Sequence, residues 1–224
     1  MSNPHTSAPE TATRPLVEVK NLRVVLPLIE GNLTASDGVS FTIPEGKTLG
    51  LVGESGCGKT ITAQSILKIA PRNSRTSGEI LLHYPDRPPV DIVSLGPKDD
   101  ELLSIRGGEA AMIFQEPMTS FSPVHSIGNQ LLETIYLHRT RDKAKAHEIA
   151  VAMLQKVGIA DPAAALRKYP HEFSGGMRQR AMIAMALASQ PRLLIADEPT
   201  TALDVTVQAQ VLRLMRDLQR DQGM

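Results

Sequence analysis

The sequence contains one cysteine, Cys57, and no tryptophan in 224 residues. A single thiol excludes a disulfide framework and any metal site built on cysteines, and it suits a reducing compartment. Cys57 reads as a tolerated small residue rather than a redox centre. Charge of one sign is also missing. Lys plus Arg and Asp plus Glu number 24 each, giving a formal net charge of +0, so no overall field draws the chain to nucleic acid or to an anionic membrane. No apolar run approaches the length that spans a bilayer, and the N-terminus lacks the hydrophobic core of a signal peptide. Membrane association is therefore expected only through a partner. There is no internal repeat and no coiled-coil heptad pattern. Residues 1–15 are rich in Ser, Thr and Pro and are expected to form a disordered tail. Residues 16–224 are ample for one large domain with a buried core.

One stretch organises the rest: Gly53, Glu54, Ser55, Gly56, Cys57, Gly58, Lys59 and Thr60. This matches G-x-x-x-x-G-K-[ST], preceded by the apolar run Thr48-Leu49-Gly50-Leu51-Val52, expected as a strand, and followed by a helical segment at 61–69. Glycines at 53, 56 and 58 let successive N–H groups turn inward on a phosphate, and the helix aims its N-terminus at the same anion. Lys59 is placed for the β- and γ-phosphates of a nucleotide, and the Thr60 hydroxyl for the Mg²⁺ that bridges them. The competing reading is a glycine-rich turn with an incidental lysine.

Along the chain, alternation predicts strands at 16–26 and 39–43, with turn residues at 31–38 between them. Further strands are expected at 78–84, 90–95 and 110–114, the last a continuous apolar run suited to burial. The period then changes to that of helices at 127–138, 144–157 and 174–189. A strand at 192–196 and an amphipathic helix at 204–222 follow, with Gly223 as its C-terminal cap.

The strand Leu193-Leu194-Ile195-Ala196 delivers two adjacent carboxylates, Asp197 and Glu198. Asp197 is placed to hold Mg²⁺, and Glu198 to polarise the water that attacks a γ-phosphate. The bland alternative is a helix cap ahead of the turn at Pro199 and Thr200.

Between the two halves lies Phe173-Ser174-Gly175-Gly176-Met177-Arg178-Gln179. With Ser-Gly-Gly-x-x-Gln shortly before a strand ending in Asp-Glu, the chain resembles the ATP-binding subunits of ABC transporters. The resemblance implies an α/β fold: a P-loop NTPase core sheet, an N-terminal antiparallel β subdomain and an inserted helical subdomain at about 116–180. It implies that Ser174, Gly175 and Gly176 bind the γ-phosphate held by the opposite subunit of a head-to-tail dimer, a helix N-terminus receiving an anion. It further implies that Gln115 contacts Mg²⁺ and the attacking water, and that Asp204 lies in a loop crossing the dimer interface. The metal set is then Thr60, Gln115 and Asp197, and the cofactors ATP and Mg²⁺. The runs Phe114 to Ser120, Tyr169 to Ser174 and Ala196 to Gln210 are similar to the dipeptide, oligopeptide and nickel importer branch. That branch implies an ATPase powering a peptide-type importer on the cytoplasmic face of the membrane, as a peripheral subunit. Its partners would be a second ATPase subunit, identical or paralogous, integral membrane permease subunits and, indirectly, an extracytoplasmic solute-binding protein, with no nucleic acid.

Three departures qualify that pattern. No Phe, Tyr or Trp precedes Phe41, whereas the family stacks an aromatic of this region on adenine; Leu26 or a neighbouring aliphatic is the substitute. None of the six histidines follows Glu198, so the family's γ-phosphate histidine has no counterpart. The final strand or strands of the sheet are expected to be missing, with an unpaired edge beside the strand of Asp197, as in a C-terminally truncated subunit. The rival readings are a non-hydrolysing or regulatory ABC subunit and a soluble ABC ATPase acting on nucleic acid; the latter lacks zinc cysteines and room for the usual insertions.

Overall fold

The computed structural model describes residues 14–115, 120–200 and 205–224. Two strands, β1 (Pro15–Leu28) and β2 (Gly31–Pro44), form a long antiparallel hairpin. β3 (Arg75–Leu82) and the short β4 (Val90–Asp91) extend it into a four-stranded sheet of order β2-β1-β3-β4. Leu16, Val17, Val19, Leu22 and Val24 of β1 are all buried and pack with Ile80 and Leu82 of β3. The strict alternation breaks between Val19 and Leu22, where the register shifts and Asn21 takes a left-handed φ of 49°. The Asn21 backbone N–H there donates to the Ser40 hydroxyl at 2.8 Å, satisfying a group that a bulge takes out of the ladder.

The turn expected at 31–38 is strand. Leu26 faces Leu33 and Val25 faces Thr34 in the antiparallel register, so the hairpin turns earlier than the Gly and Asn content suggests. β4 is also shorter than the strand expected at 90–95: the ladder stops after Asp91, which pairs with Leu81 while its carboxylate accepts from Ile80 N at 3.1 Å and Val93 N at 3.0 Å.

The second sheet pairs β5 (Ala110–Ile113) with β6 (Leu193–Ala196) in parallel. It divides two cores. Ala110 and Met112 pack with the hairpin sheet and with Ile66 and Leu67, whereas Ile113, one residue on, joins the helical core. This is the two-residue period of a strand covered on both faces.

That helical core is built by α3 (Ile127–His138), α4 (Lys143–Lys156), the short α5 (Pro162–Ala165), α6 (Gly175–Leu187) and α7 (Val205–Gln222). They follow α1 (Lys59–Ile66) and α2 (Asp100–Ser104) in the chain. Side chains fix four of the starts: Ser126 accepts from Asn129 N at 3.1 Å, Asp142 from Lys145 N at 2.8 Å, Asp161 from Ala164 N at 3.1 Å and Ser174 from Met177 N at 3.3 Å. Each such cap is worth about 1 kcal/mol. Leu131, Ile135, Leu154 and Ile183 are fully buried where α3, α4 and α6 meet, and burying each contributes roughly 1.5–3 kcal/mol.

One expected strand does not form. Residues 48–52 carry no strand structure; Leu49 and Leu51 are 43% and 45% exposed and Val52 is 93% exposed. The physical reason is a missing ladder: among the described residues β6 pairs only with β5. A cavity of about 730 Å³ lies between residues 46–51 and β6, with Leu212, Met215 and Met224 among its walls. The expected tail falls largely on residues 1–13, outside the described residues, while Pro15 already opens β1.

Candidate functional site

Two of the three loop glycines are there for conformation. Gly56 and Gly58 take φ of 81° and 90°, values that an L side chain rarely adopts. Gly58 also has no room: a Cβ built on it would lie 1.9 Å from the Ala35 carbonyl oxygen. At Gly53 a Cβ would meet the Cys57 sulfur at 2.6 Å, a side-chain atom that would have to swing aside.

β2 thus presses directly on the loop, and a second tie holds it there. The buried hydroxyls of Ser36 on β2 and Thr62 on α1 are 2.6 Å apart. Gly58 is the N-cap of α1 and supplies no side-chain cap, so the first N–H groups of the helix remain available to an anion. Lys59 folds back over the loop, donating to the carbonyls of Gly53 and Glu54 at 2.8 Å each. Its ammonium is held above a cradle of backbone rather than paired with a carboxylate.

The carboxylates reach the loop from the second sheet. The Asp197 N–H donates to the Ile113 carbonyl at 3.0 Å, continuing the β5–β6 ladder by one step and fixing the side chain that follows. Asp197 is buried, and its Oδ1 accepts from the Thr60 hydroxyl at 3.1 Å. Glu198, at a left-handed φ of 46°, turns toward Gln115, whose Nε2 donates to Glu198 Oε2 at 3.0 Å. Residues 83 positions apart in sequence therefore meet because β5 and β6 are neighbours.

A cavity of about 410 Å³ opens over this cluster. Ser55 to Ile61 form its floor, Gln115 and Glu198 one side, and Leu26, Leu33, Thr34 and Ala35 of the β1–β2 hairpin the other. The hydroxyl and carboxylate of Thr60 and Asp197 offer hard oxygen donors to a divalent cation that keeps waters and phosphate oxygens as its remaining ligands. No cluster of three or more His, Cys, Asp or Glu side chains that would cage an ion by itself occurs among the described residues. The residues present fit Mg²⁺ held jointly with a phosphate.

The structure places Lys59, Thr60, Gln115, Asp197 and Glu198 together, but it sets Ser174, Gly175 and Gly176 apart, lining neither cavity. Ser174 caps α6, Gly175 has nothing within 4 Å of its Cβ position, and Gly176 packs toward Val207. Asp204 lies outside the described residues. One link is not legible in the sequence as a contact. The buried Gln179 donates from Nε2 to the Pro199 carbonyl at 2.6 Å, tying α6 to the turn after Glu198. Its place in the Ser-Gly-Gly-x-x-Gln run is the available signal. Leu33, Thr34 and Ala35 also escape sequence reasoning, because a Gly- and Asn-bounded stretch reads as turn.

A glycine loop opening a helix, with a hydroxyl on its last residue bound to a strand-end carboxylate, defines a phosphate-loop nucleotide-binding protein. The chain belongs to the ABC transporter family, whose profile matches residues 36–201. It is 49% identical over 210 residues to a probable peptide ABC transporter ATP-binding protein of Sinorhizobium fredii, covering 93% of this chain and 61% of that protein. It is 47% identical over 207 residues to the oligopeptide transport ATP-binding protein OppD of Bacillus subtilis, covering 92% of this chain and 56% of the relative. The chain thus spans somewhat more than half the length of these relatives. Among solved structures, the dimeric post-hydrolysis state of the ATP-binding cassette MJ0796 bound to ADP and Pi superposes with a TM-score of 0.78 at 26% identity, covering 92% of this chain and 84% of that one. The α/β fold of an ABC ATPase cassette is therefore the fold of this chain.

Proposed function

We propose that this chain is the ATP-binding and hydrolysing part of a subunit that powers a peptide-type ABC importer by ATP-driven head-to-tail dimerisation. The observation that carries the reading is the joining of two distant motifs: Thr60 bonds Asp197 at 3.1 Å, and Glu198, held by Gln115 at 3.0 Å, lines with Thr60 and Gln115 the cavity floored by the glycine loop.

In this reading the backbone of residues 53–58 and the N-terminus of α1 receive the phosphates, and Lys59 transfers its ammonium from the Gly53 and Glu54 carbonyls to the β- and γ-phosphate oxygens. Thr60, Asp197 and Gln115 would hold Mg²⁺, which would supply positive charge against the phosphates. Glu198 orients and accepts a proton from the attacking water, and Gln115, already its partner, fixes its direction. Ser174, Gly175 and Gly176 then serve a second subunit's nucleotide, which accounts for their distance from this chain's own loop, and Asp204 belongs to the same interface.

The names of the relatives support peptide transport as the task. The inserted helical subdomain, about 116–180, would contact the permease, with an extracytoplasmic solute-binding protein supplying the solute from the far side. No described helix is long and apolar enough to cross a membrane, so the proposed location, peripheral at the cytoplasmic face, rests on that docking. The neutral charge gives no footprint for nucleic acid.

The test is Mg²⁺-ATP binding and phosphate release by the chain. Lys59→Ala should abolish binding. Glu198→Gln should retain binding and lose turnover by about 100-fold or more. Wild-type turnover in Glu198→Gln would show that Glu198 is not the base that activates water, and undiminished binding in Lys59→Ala would remove the site.

A further inference from the structure

Three buried side-chain oxygens have no hydrogen-bond partner among the described residues: Tyr84 Oη, Glu109 Oε2 and Ser189 Oγ. The first two belong to residues that flank one guanidinium. Arg192 stands 5.4 Å from the Tyr84 ring centroid and brings Nη1 to 3.6 Å from Glu109 Oε2. That separation is too long for a direct hydrogen bond and is the kind that a water spans.

All three residues sit at strand ends, where the two sheets meet. Tyr84 follows β3 by two residues, Glu109 immediately precedes β5 and Arg192 immediately precedes β6. Their backbones are held in place. The Arg192 N–H donates to the Glu109 carbonyl at 2.8 Å, and the Arg14 guanidinium donates to the Tyr84 carbonyl. The neighbouring arginines are already engaged. Arg192 donates to the His83 carbonyl at 3.0 Å and to Glu45 Oε1 at 2.7 Å. The Arg87 guanidinium lies 3.7 Å from the Tyr84 ring centroid and is held by both Glu101 oxygens, at 3.1 and 2.7 Å. Moving either arginine toward the two oxygens would give up bonds that it makes now.

A buried hydroxyl and a buried carboxylate oxygen left unpaired carry the full penalty of losing their hydration. A buried water removes that penalty where polar partners surround it. The two groups are complementary: the phenol donates and the carboxylate only accepts, so a water between them accepts from the first and donates to the second. Burial and the nearby Glu109 charge push the Tyr84 phenol above its ordinary 10.0, which keeps its proton available to donate.

We infer that one water molecule is bound as a structural ligand between Tyr84 Oη and Glu109 Oε2, beside the Arg192 guanidinium. It joins the end of β3 to the starts of β5 and β6, the strands that lead to Gln115 and Asp197.

Thermal unfolding of Tyr84→Phe, Glu109→Met and the double variant tests the bridge. Tyr84→Phe keeps the ring beneath Arg87 and deletes only the hydroxyl. It should lower the melting temperature by about 2–4 °C in the unmodified chain. In the Glu109→Met background, where the bridge is already broken, the same substitution should shift it little. A crystal structure that resolves ordered solvent should show one water within hydrogen-bond distance of both oxygens, and Tyr84→Phe should lose it. An unchanged or raised melting temperature in Tyr84→Phe overturns the inference, because deleting a buried hydroxyl that has no partner relieves the fold. Equal losses in the two backgrounds overturn it as well, as does a direct Tyr84 to Glu109 hydrogen bond with no solvent between them.

Discussion

The Thr60 hydroxyl and the Asp197 carboxylate lie 3.1 Å apart, joined across 137 residues of chain. Thr60 is the second residue of α1, and Asp197 immediately follows β6. Residues 48–52, which lead into the loop, have no strand partner among the described residues, so this bond is one of the direct links between loop and second sheet. The contact is thus a tie between loop and sheet as well as half of a proposed cation site. Replacing Thr60 with Val removes the donor while keeping the shape. ATP binding in the presence of a chelator should persist, whereas the gain in affinity on adding Mg²⁺ should shrink by about 10- to 100-fold. Thr60→Ser should retain the gain. Isothermal titration with and without Mg²⁺ separates these cases, and a full Mg²⁺ response in Thr60→Val removes Thr60 from the cation site.

Gly58→Ala should be among the most damaging single substitutions. The residue sits at φ 90° and its added Cβ would overlap the Ala35 carbonyl oxygen at 1.9 Å, a backbone atom that a rotamer change cannot move. Strain and overlap together should cost more than about 2 kcal/mol. Gly175→Ala, where nothing lies within 4 Å, should leave stability nearly unchanged. Chemical denaturation of the two variants side by side checks the contrast.

The legibility of this chain follows the range of the interactions involved. Helix α3 is expected at 127–138 and lies there, because its apolar period and its Ser126 cap are local facts. The pair of Lys59 and Thr60 with Asp197 and Glu198 is readable because each half has a spelling dictated by phosphate chemistry. What sequence does not carry is anything decided by a partner strand. Residues 48–52 have the composition of a strand and no neighbour to pair with, while residues 31–38 have the composition of a turn and a long partner in β1. Gly31, at φ 139°, forms the last pair of that ladder, opposite Leu28, directly after the turn at residues 29–30. β propensity describes a fit to neighbours, and neighbours are a tertiary fact. For the same reason the hairpin wall of Leu33, Thr34 and Ala35 cannot be placed at the cavity from sequence.

Arg106 offers a test of how the loop helix is anchored at its far end. Its guanidinium donates to the Leu67 carbonyl at 2.9 Å and the Lys68 carbonyl at 2.5 Å, at the C-terminal end of α1, where carbonyls have no helical donors. Lys68, at a left-handed φ of 51°, in turn donates to the Val93 and Leu95 carbonyls. Arg106 stands four residues before β5, the strand that leads to Gln115, so it joins the phosphate-loop helix to the segment bearing the glutamine. Arg106→Ala should lower stability by about 1–3 kcal/mol. Arg106→Lys should recover only part, since an ammonium lacks the planar fork that serves two carbonyls at once. Thermal unfolding of the two variants gives the ordering, and equal stability of Arg106→Ala and the unmodified chain would show the carbonyls to be adequately served by water.

His138 packs against the turn that leads into β5, and its titration gives the fold a defined weakness to acid. The ring lies on Gly107, where an added Cβ would meet its Nε2 at 2.8 Å, and on Gly108, where Nδ1 would be 3.4 Å away. Burial lowers its pKa from the ordinary 6.5, because the low-dielectric surroundings disfavour the imidazolium. The unfolded chain then binds a proton that the folded chain refuses. Stability is accordingly present in full above about pH 6.5 and is lost progressively as pH falls from there through the depressed folded value. Substituting His138 with Gln removes the titration and should flatten the dependence of the melting temperature below about pH 6.5, at some cost in packing that is independent of pH. Gly107→Ala attacks the same contact from below, with a left-handed φ of 79° to add strain, and should destabilise at every pH. A slope that survives unchanged in His138→Gln would assign the acid sensitivity to other groups, with the Glu18 carboxylate, held below its ordinary 4.5 chiefly by its hydrogen bond with His83, acting only at lower pH.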